Sequence, residues 1–166
     1  LVNNAGISTT PFSDPLSDAA WHQVIETNLS GPFYCCRSVA EGMKSRQSGS
    51  IINISSISGA MATGGSVAYN SSKAALNMMT KVLAMEWASY NISVNAIGPG
   101  WFETEMGKNS LKTPDQRAKA MEGIPMGRLT DLRDLGLLAV YLASPAAEWM
   151  TGQVIYLDGG ETGAFL

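Results

Sequence analysis

The 166-residue sequence has a single histidine, His22, and two cysteines that stand side by side, Cys35 and Cys36. These supply neither the ligand set nor the spacing of a zinc site or a disulfide framework. Adjacent thiols fit a reducing compartment, the cytoplasm. A Ser/His/Asp hydrolase would have to use His22, and no Gly-x-Ser-x-Gly elbow accompanies it. Charge is scarce as well: 15% of the residues are charged, 11 Lys and Arg against 14 Asp and Glu, for a net −3. Without a basic run there is no electrostatic footprint for nucleic acid or an anionic membrane surface. The longest apolar stretch near the C-terminus, Leu135 to Ala143, is about half of the ~20 residues that a membrane-spanning helix needs. The sequence opens without an initiator Met or a signal peptide. Leu1-Val2-Asn3-Asn4-Ala5-Gly6 reads as the end of a buried strand running into a glycine turn, so the chain is expected to begin inside a domain.

What is present is an ordinary globular composition, 45% apolar, and length enough for one domain with a real core. Ser17 is placed to cap a helix carrying Trp21, Val24 and Ile25 at helical spacing, which runs through Asn28 to about Gln47 with an interruption at Gly31-Pro32. Ser50 to Ile54 is a short β-branched run, read as a buried strand. A Gly-rich loop, 59–66, leads into a long helix from about Val67 to Tyr90, and Ile92 to Ile97 is the next strand, closed by Gly98-Pro99-Gly100. The polar segment from Trp101 to Arg128 lacks periodicity and reads as a mobile flap, with Pro114 suited to the first turn of a small helix. Leu129 to Ala143 is amphipathic and helical, Val154 to Leu157 is a last strand, and Asp158-Gly159-Gly160 ends it. Strands alternating with helices imply an α/β fold: βαβ units and a parallel sheet covered by helices on both faces.

The chemical signal is Tyr69-Asn70-Ser71-Ser72-Lys73. Tyr and Lys at i and i+4 share one helix face about a turn apart. A phenol ionises near pH 10 and carries protons poorly at neutral pH until a cation stabilises the phenolate; Lys73 is placed to be that cation. Alone the pair is weak, because a chance Tyr-x-x-x-Lys turns up in roughly one sequence in six of this composition, and a solvated helix face explains it equally. Context adds to it. Ser56 stands thirteen residues before Tyr69, just after the strand ending at Ile54, where active-site groups of such sheets collect and where a hydroxyl can donate to a substrate carbonyl. Ser55 and Ser58 more simply satisfy loop backbone groups. His22 reads as a helix-surface residue, Cys35 and Cys36 as small buried helix residues, and Met78, Met79 and Met85 as gap fillers before they are substrate contacts.

In order and spacing these motifs resemble the short-chain dehydrogenases/reductases, the large Rossmann-fold group of NAD(P)-dependent oxidoreductases. The likeness runs from Asn3-Asn4-Ala5-Gly6 through Asn28, the Ser56-to-Tyr69 spacing, Tyr69-x-x-x-Lys73 and Asn95-Ala96-Ile97-Gly98-Pro99-Gly100 to Asp158-Gly159-Gly160. The resemblance implies a proton relay: Tyr69 as general acid/base and Ser56 as the hydroxyl orienting the carbonyl. Lys73 would be the ammonium that lowers the phenol pKa and bonds the nicotinamide ribose, and Asn28 the residue whose backbone holds a water linking Lys73 to solvent. Asn28 could equally be a polar residue closing the kink before Gly31-Pro32. Asn4, Ala5 and Gly6 would pass close to the adenosine side of NAD or NADP, Gly6 where a Cβ would clash, and Asn3 would tie neighbouring strands. Pro99, Gly100, Phe102 and Thr104 match the segment that cups the nicotinamide. Phe102 departs from the aliphatic residue common there, and Gly98 is a smaller departure in line with tight packing.

The larger departure is the missing βαβ unit with the glycine-rich pyrophosphate loop. By likeness Leu1 falls in the fourth strand, so residues 1–166 read as a single partial NAD(P)-binding domain, the C-terminal part of a doubly wound Rossmann sheet. A chain cut there is expected to fold poorly and hold NADH or NADPH weakly. The implied reaction is hydride transfer between NAD(P)(H) and a small carbonyl or secondary alcohol. The branch of 3-oxoacyl-carrier-protein reductases and sugar or polyol dehydrogenases fits best. The short tail after Lys73 speaks against the epimerases, and the three-residue Tyr69–Lys73 gap against the enoyl reductases. A non-catalytic fragment or pseudoenzyme serving as an interaction module is the alternative, against which the intact Ser56, Tyr69 and Lys73 set speaks. The long helix carries two apolar stripes, one of Leu76, Met79, Leu83 and Trp87 and one of Ala74, Met78, Val82 and Met85. That exceeds what one sheet face covers and points to a homo-oligomer, and the resemblance implies a homodimer or homotetramer in which this helix packs against its copy.

Overall fold

The computed structural model describes residues 1–8, 15–62 and 64–165. Four strands form one parallel sheet in the order β1 (Val2–Asn3), β2 (Gly49–Ile54), β3 (Ile92–Pro99) and β4 (Val154–Leu157). The register pairs Asn3 with Asn53, Ile52 with Asn95 and Ile97 with Ile155. Parallel neighbours cannot be joined by a tight turn, so a helix crosses over between successive strands. Successive side chains of a strand point to opposite faces. Accordingly Ile51 and Val94 pack with Cys36, Met43, Leu83 and Trp87 on one face, while Ile52 and Ile97 pack with Leu135, Leu138 and Leu142 on the other. The expected two-sided covering is therefore present, with helices α2 (Gly31–Ser45) and α3 (Val67–Trp87) on the first face and α6 (Leu132–Ala143) on the second.

A buried polar chain crosses the first face. Asn3 Nδ2 donates to Asn53 Oδ1 at 2.8 Å and to Cys36 Sγ at 3.3 Å, and Asn53 Nδ2 donates to Thr80 Oγ1 at 2.9 Å. It ties β1, β2, α2 and α3 together, the structural part expected of Asn3. Buried amides are tolerated only when bonded in this way.

The helix expected from Ser17 to Gln47 is three pieces. Ser17 caps α1 (Asp18–Ile25) by accepting from the Ala20 amide, a π-helical turn spans Glu26–Ser30, and α2 follows. Pro32 has no N–H to donate to the Asn28 carbonyl and its ring crowds that turn. The backbone widens instead, with Gly31 N–H bonded to Glu26 O, and Asn28 becomes fully buried. Cys36 is buried but Cys35 is exposed. The expectation that both are buried fails because neighbours on a helix are about 100° apart, and α2 offers only one stripe to the sheet.

The 101–128 segment carries two helices, one more than Pro114 announces: α4 (Glu105–Ser110) and α5 (Pro114–Glu122). Both are built on local capping, which explains the missing apolar periodicity. Thr104 accepts from the Gly107 amide, and Thr113 and Gln116 form a reciprocal capping box. Phe102 bridges Thr130 at the base of the segment, and Glu103 pairs with Arg117. Along α3 one apolar stripe is inward, with Leu76, Leu83 and Trp87 buried. The other is outward, with Met78 59%, Val82 44% and Met85 84% exposed. Among the described residues no helix is long and apolar enough to cross a membrane.

Candidate active site

The carboxyl ends of β2 and β3 and the first two turns of α3 bring the candidate residues together. After Ile54 the backbone carries on extended through Ser55 and Ser56. Ser55 is used structurally: its amide donates to Ile97 O at 2.7 Å and its hydroxyl to Lys73 O at 3.3 Å. Ser56 is buried, and its Oγ accepts from the Ser58 amide at 3.1 Å, opening the 3₁₀ turn Ile57–Gly59. The Tyr69 phenol lies beside the same hydroxyl, which lowers its pKa.

Lys73 is 3% exposed and donates from Nζ to the Ile54 carbonyl at 2.8 Å. Its ammonium lies 5.6 Å from the centroid of the Tyr69 ring. Burial lowers its pKa from 10.5 to about 8, because a charge removed from water is penalised. The Tyr69 phenol shifts upward: burial raises it, and the Ser56 hydroxyl only partly opposes that. Desolvation of the ring sets the net direction, and the Lys73 ammonium is bonded to the Ile54 carbonyl.

Asn28 reaches the same place from the π-turn. Its Oδ1 accepts from the Ile7 amide at 2.8 Å, and its Nδ2 donates to Ile7 O at 2.9 Å and to Ser72 Oγ at 3.1 Å. Ser72 Oγ in turn donates to Tyr69 O at 2.7 Å. Gly6 lies between them: a Cβ there would meet Lys73 Nζ at 3.4 Å and Asn28 Oδ1 at 3.6 Å. Those are ordinary contacts, so the protein itself does not demand glycine at that position.

The remaining candidates are spread more widely. Asn4 and Ala5 are exposed just past β1. Pro99 ends β3, and Gly100 is pressed against β4, its amide donating to Leu157 O, with a Cβ only 2.9 Å from Asp158 Cα. Phe102 is buried at the base of the helical segment, and Thr104 is engaged as the α4 cap. His22 is exposed on α1. Ser72 and the Ile54 carbonyl escape the sequence reading. Ser72 lies inside the Tyr-x-x-x-Lys window and could have been found there, but a backbone carbonyl has no sequence signal at all. A cavity of about 880 Å³ lies at the other end of the sheet, lined by Gly49, Ser50, Ile92 and Ser93 at the amino ends of β2 and β3. It is remote from these groups. Among the described residues no cluster of His, Cys, Asp or Glu could hold a metal.

The arrangement can deliver a proton. A neutral phenol beside a serine hydroxyl, with a buried cation one turn away, can donate to an oxygen placed between the two hydroxyls.

Comparison with known proteins agrees with this chemistry. A family model described as Enoyl-(Acyl carrier protein) reductase matches residues 1–162. The 3-oxoacyl-(acyl-carrier-protein) reductase FabG of Vibrio harveyi is 38% identical over 160 residues, covering 96% of this chain and 65% of that protein. A gluconate 5-dehydrogenase from Burkholderia cenocepacia J2315, solved in complex with NADP and tartrate, superposes with a TM-score of 0.96 at 35% identity over 98% of this chain and 64% of its own. A 4-hydroxyisoleucine dehydrogenase complexed with NADH superposes with a TM-score of 0.95 at 35% identity, covering 98% of this chain and 68% of its own. The chain spans about 65% of the length of the curated relatives it matches. Motif order, sheet topology and these matches agree: the chain belongs to the short-chain dehydrogenase/reductase family.

Proposed function

We propose that the protein carrying this chain catalyses hydride transfer between NAD(H) or NADP(H) and a small carbonyl or secondary alcohol substrate, of the 3-oxoacyl or the sugar and polyol class. The observation that carries the reading is the buried Ser56 hydroxyl beside the Tyr69 phenol, with Lys73 buried one turn on. In reduction Ser56 and Tyr69 donate to the carbonyl oxygen, and Tyr69 protonates the alkoxide as it develops. Lys73 stabilises the phenolate left behind. Because burial raises the phenol, Tyr69 is protonated at neutral pH, the state that reduction needs, whereas oxidation needs the costly phenolate. Asn28 holds Ile7 and Ser72 and so fixes the floor on which Tyr69 and Lys73 stand.

The nicotinamide cofactor supplies and accepts the hydride when bound. The donor set fits it. Lys73 has three N–H donors and a single protein acceptor among the described residues, and glycine at position 6 leaves the space beside Nζ free of side chain. Lys73, Tyr69, Asn4, Ala5, Gly6, Pro99 and Gly100 would hold the cofactor, with Thr104 and Phe102 flanking them. Carbonyl rather than enoyl reduction is favoured by Ser56 and the three-residue Tyr69–Lys73 gap. The outward stripe of Met78, Val82 and Met85 supports a homodimer or homotetramer, and the exposed free thiol of Cys35 fits the cytoplasm.

The test is a steady-state assay with NADH and NADPH against a panel of carbonyls and alcohols. Tyr69→Phe is expected to cut turnover by at least ~10²-fold with cofactor affinity nearly unchanged, and Lys73→Ala to damage both. Wild-type turnover in the Phe variant would remove Tyr69 from the mechanism.

A further inference from the structure

Asn77 follows Lys73 by four residues and so shares its buried face of α3. It is 8% exposed, a polar group at a core position. Its Nδ2 donates to the Gly59 carbonyl at 3.4 Å, its side chain lies beside the Tyr156 hydroxyl and lowers its pKa, and its Oδ1 is buried with no partner. Both neighbours of this amide are pressed close. A Cβ at Gly59 would lie 2.6 Å from Asn77 Nδ2 and 3.0 Å from Lys73 O, and a Cβ at Gly98 would lie 2.4 Å from the Tyr156 ring. Both glycines also border Ser56. The Gly59 amide donates to Ser56 O at 3.0 Å, and a Cβ at Gly98 would come within 3.5 Å of the same oxygen. One amide therefore ties α3 to the 3₁₀ turn that Ser56 opens, beside the Tyr156 ring of β4.

We propose that Asn77 is a positioning residue: it holds the Ser56 turn against α3 and so sets the Ser56 hydroxyl at its distance from Tyr69. The proposal rests on the reading of Ser56 and Tyr69 as carbonyl-reducing groups. An apolar side chain of the same size would fill the site without leaving an unpaired oxygen, so packing alone does not call for asparagine here. What leucine lacks is the hold on Gly59.

The test is Asn77→Leu in the protein carrying this chain, read in three ways. Its thermal midpoint is expected to be unchanged or raised, because the unpaired Oδ1 disappears. Turnover with a good substrate is expected to fall about tenfold to a hundredfold, the effect of misplacing a reacting group, with cofactor affinity within about twofold of wild type. Amide exchange at Gly59, Ala60 and Met61, which donate to the Ser56 and Ile57 carbonyls, is expected to speed up while that of α3 stays the same. Tyr156→Phe, which removes only the hydroxyl beside the amide and leaves its bond to Gly59, should give a smaller change of the same kind. Unchanged turnover in an active enzyme overturns the proposal, and so does a lowered midpoint with exchange accelerated throughout α3. A wild-type protein without hydride transfer refutes the reading of the site instead. In that case exchange alone decides, and unaltered protection at Gly59, Ala60 and Met61 counts against Asn77.

Discussion

Lys73→Met replaces a buried ammonium with an uncharged side chain of similar length, and its consequences follow from the electrostatics of the site. Burial lowers the Lys73 pKa from 10.5 to about 8, so at neutral pH the folded protein carries a penalty of about 3 kcal/mol, at 1.36 kcal/mol per pKa unit. Because the folded pKa is the lower one, the unfolded chain binds more protons between pH 8 and 10.5. Stability contributed by this group therefore rises with pH across that window, and the full penalty is present below it. From pH 7 to 9.5 the gain is about 2 kcal/mol, or roughly 1 M in urea midpoint for a slope near 2 kcal/mol/M. The range stops short of pH 10 because Tyr69, whose pKa is raised by burial, works the other way there. The unfolded phenol ionises first, and stability falls. In absolute terms the methionine variant at pH 7 combines relief of the charge penalty with loss of the bond to Ile54 O, a charged hydrogen bond of about 1.5–3 kcal/mol. These nearly cancel, so the informative quantity is the slope. Urea unfolding of wild type and Lys73→Met at both pH values should show a rise in the first that is absent from the second. A wild-type midpoint that is flat or falling, or an equal rise in the variant, would refute the assignment of a desolvated ammonium to this site.

Gly98→Ala should cost about 1–3 kcal/mol by overpacking, since its Cβ would sit 2.4 Å from the Tyr156 ring; truncating Tyr156 to Ala in that background should recover part of the loss in a denaturation midpoint. Asn28→Ala strips partners from both Ile7 backbone groups and from Ser72 Oγ. It should lower unfolding free energy by at least about 2 kcal/mol, and Asn28→Asp, which keeps only the acceptor, should lie between the two. Met78→Glu with Met85→Glu places charge on the exposed stripe of α3 and should convert a homo-oligomer to monomer by light scattering; an unchanged mass would move the interface elsewhere.

Local pattern made much of this molecule legible. The β-branched and apolar runs at Ile51–Ile54 and Ile92–Ile97 could only be strands buried on both faces. The Ser17 cap and the apolar stripes of α3 and α6 appear where their periodicity puts them, and Tyr69 and Lys73 share a face by the geometry of any helix. The alternation of strands and helices carried the parallel order. What the sequence alone determined, then, was which residues are helical or extended, which side of each is apolar, and which side chains are candidates for proton chemistry.

The rest was decided in three dimensions. Periodicity cannot say that Pro32 would be accommodated by a π-turn that buries Asn28 and clamps it onto Ile7, twenty-one residues away. Nor can it say that α2 would bury Cys36 and leave Cys35 in solvent. Two capped helices stand in the 101–128 segment because capping is a contact of side chain with backbone, which an apolar count does not register. The net upward shift of the Tyr69 phenol is likewise beyond local pattern. Charge proximity reads from spacing, but the ammonium's commitment to Ile54 O and the burial of the ring depend on how α3 lies across β2. Helix and strand propensities act over a few residues, whereas desolvation and backbone acceptors belong to elements brought together from distant parts of the chain, and only their packing sets the energies of the site.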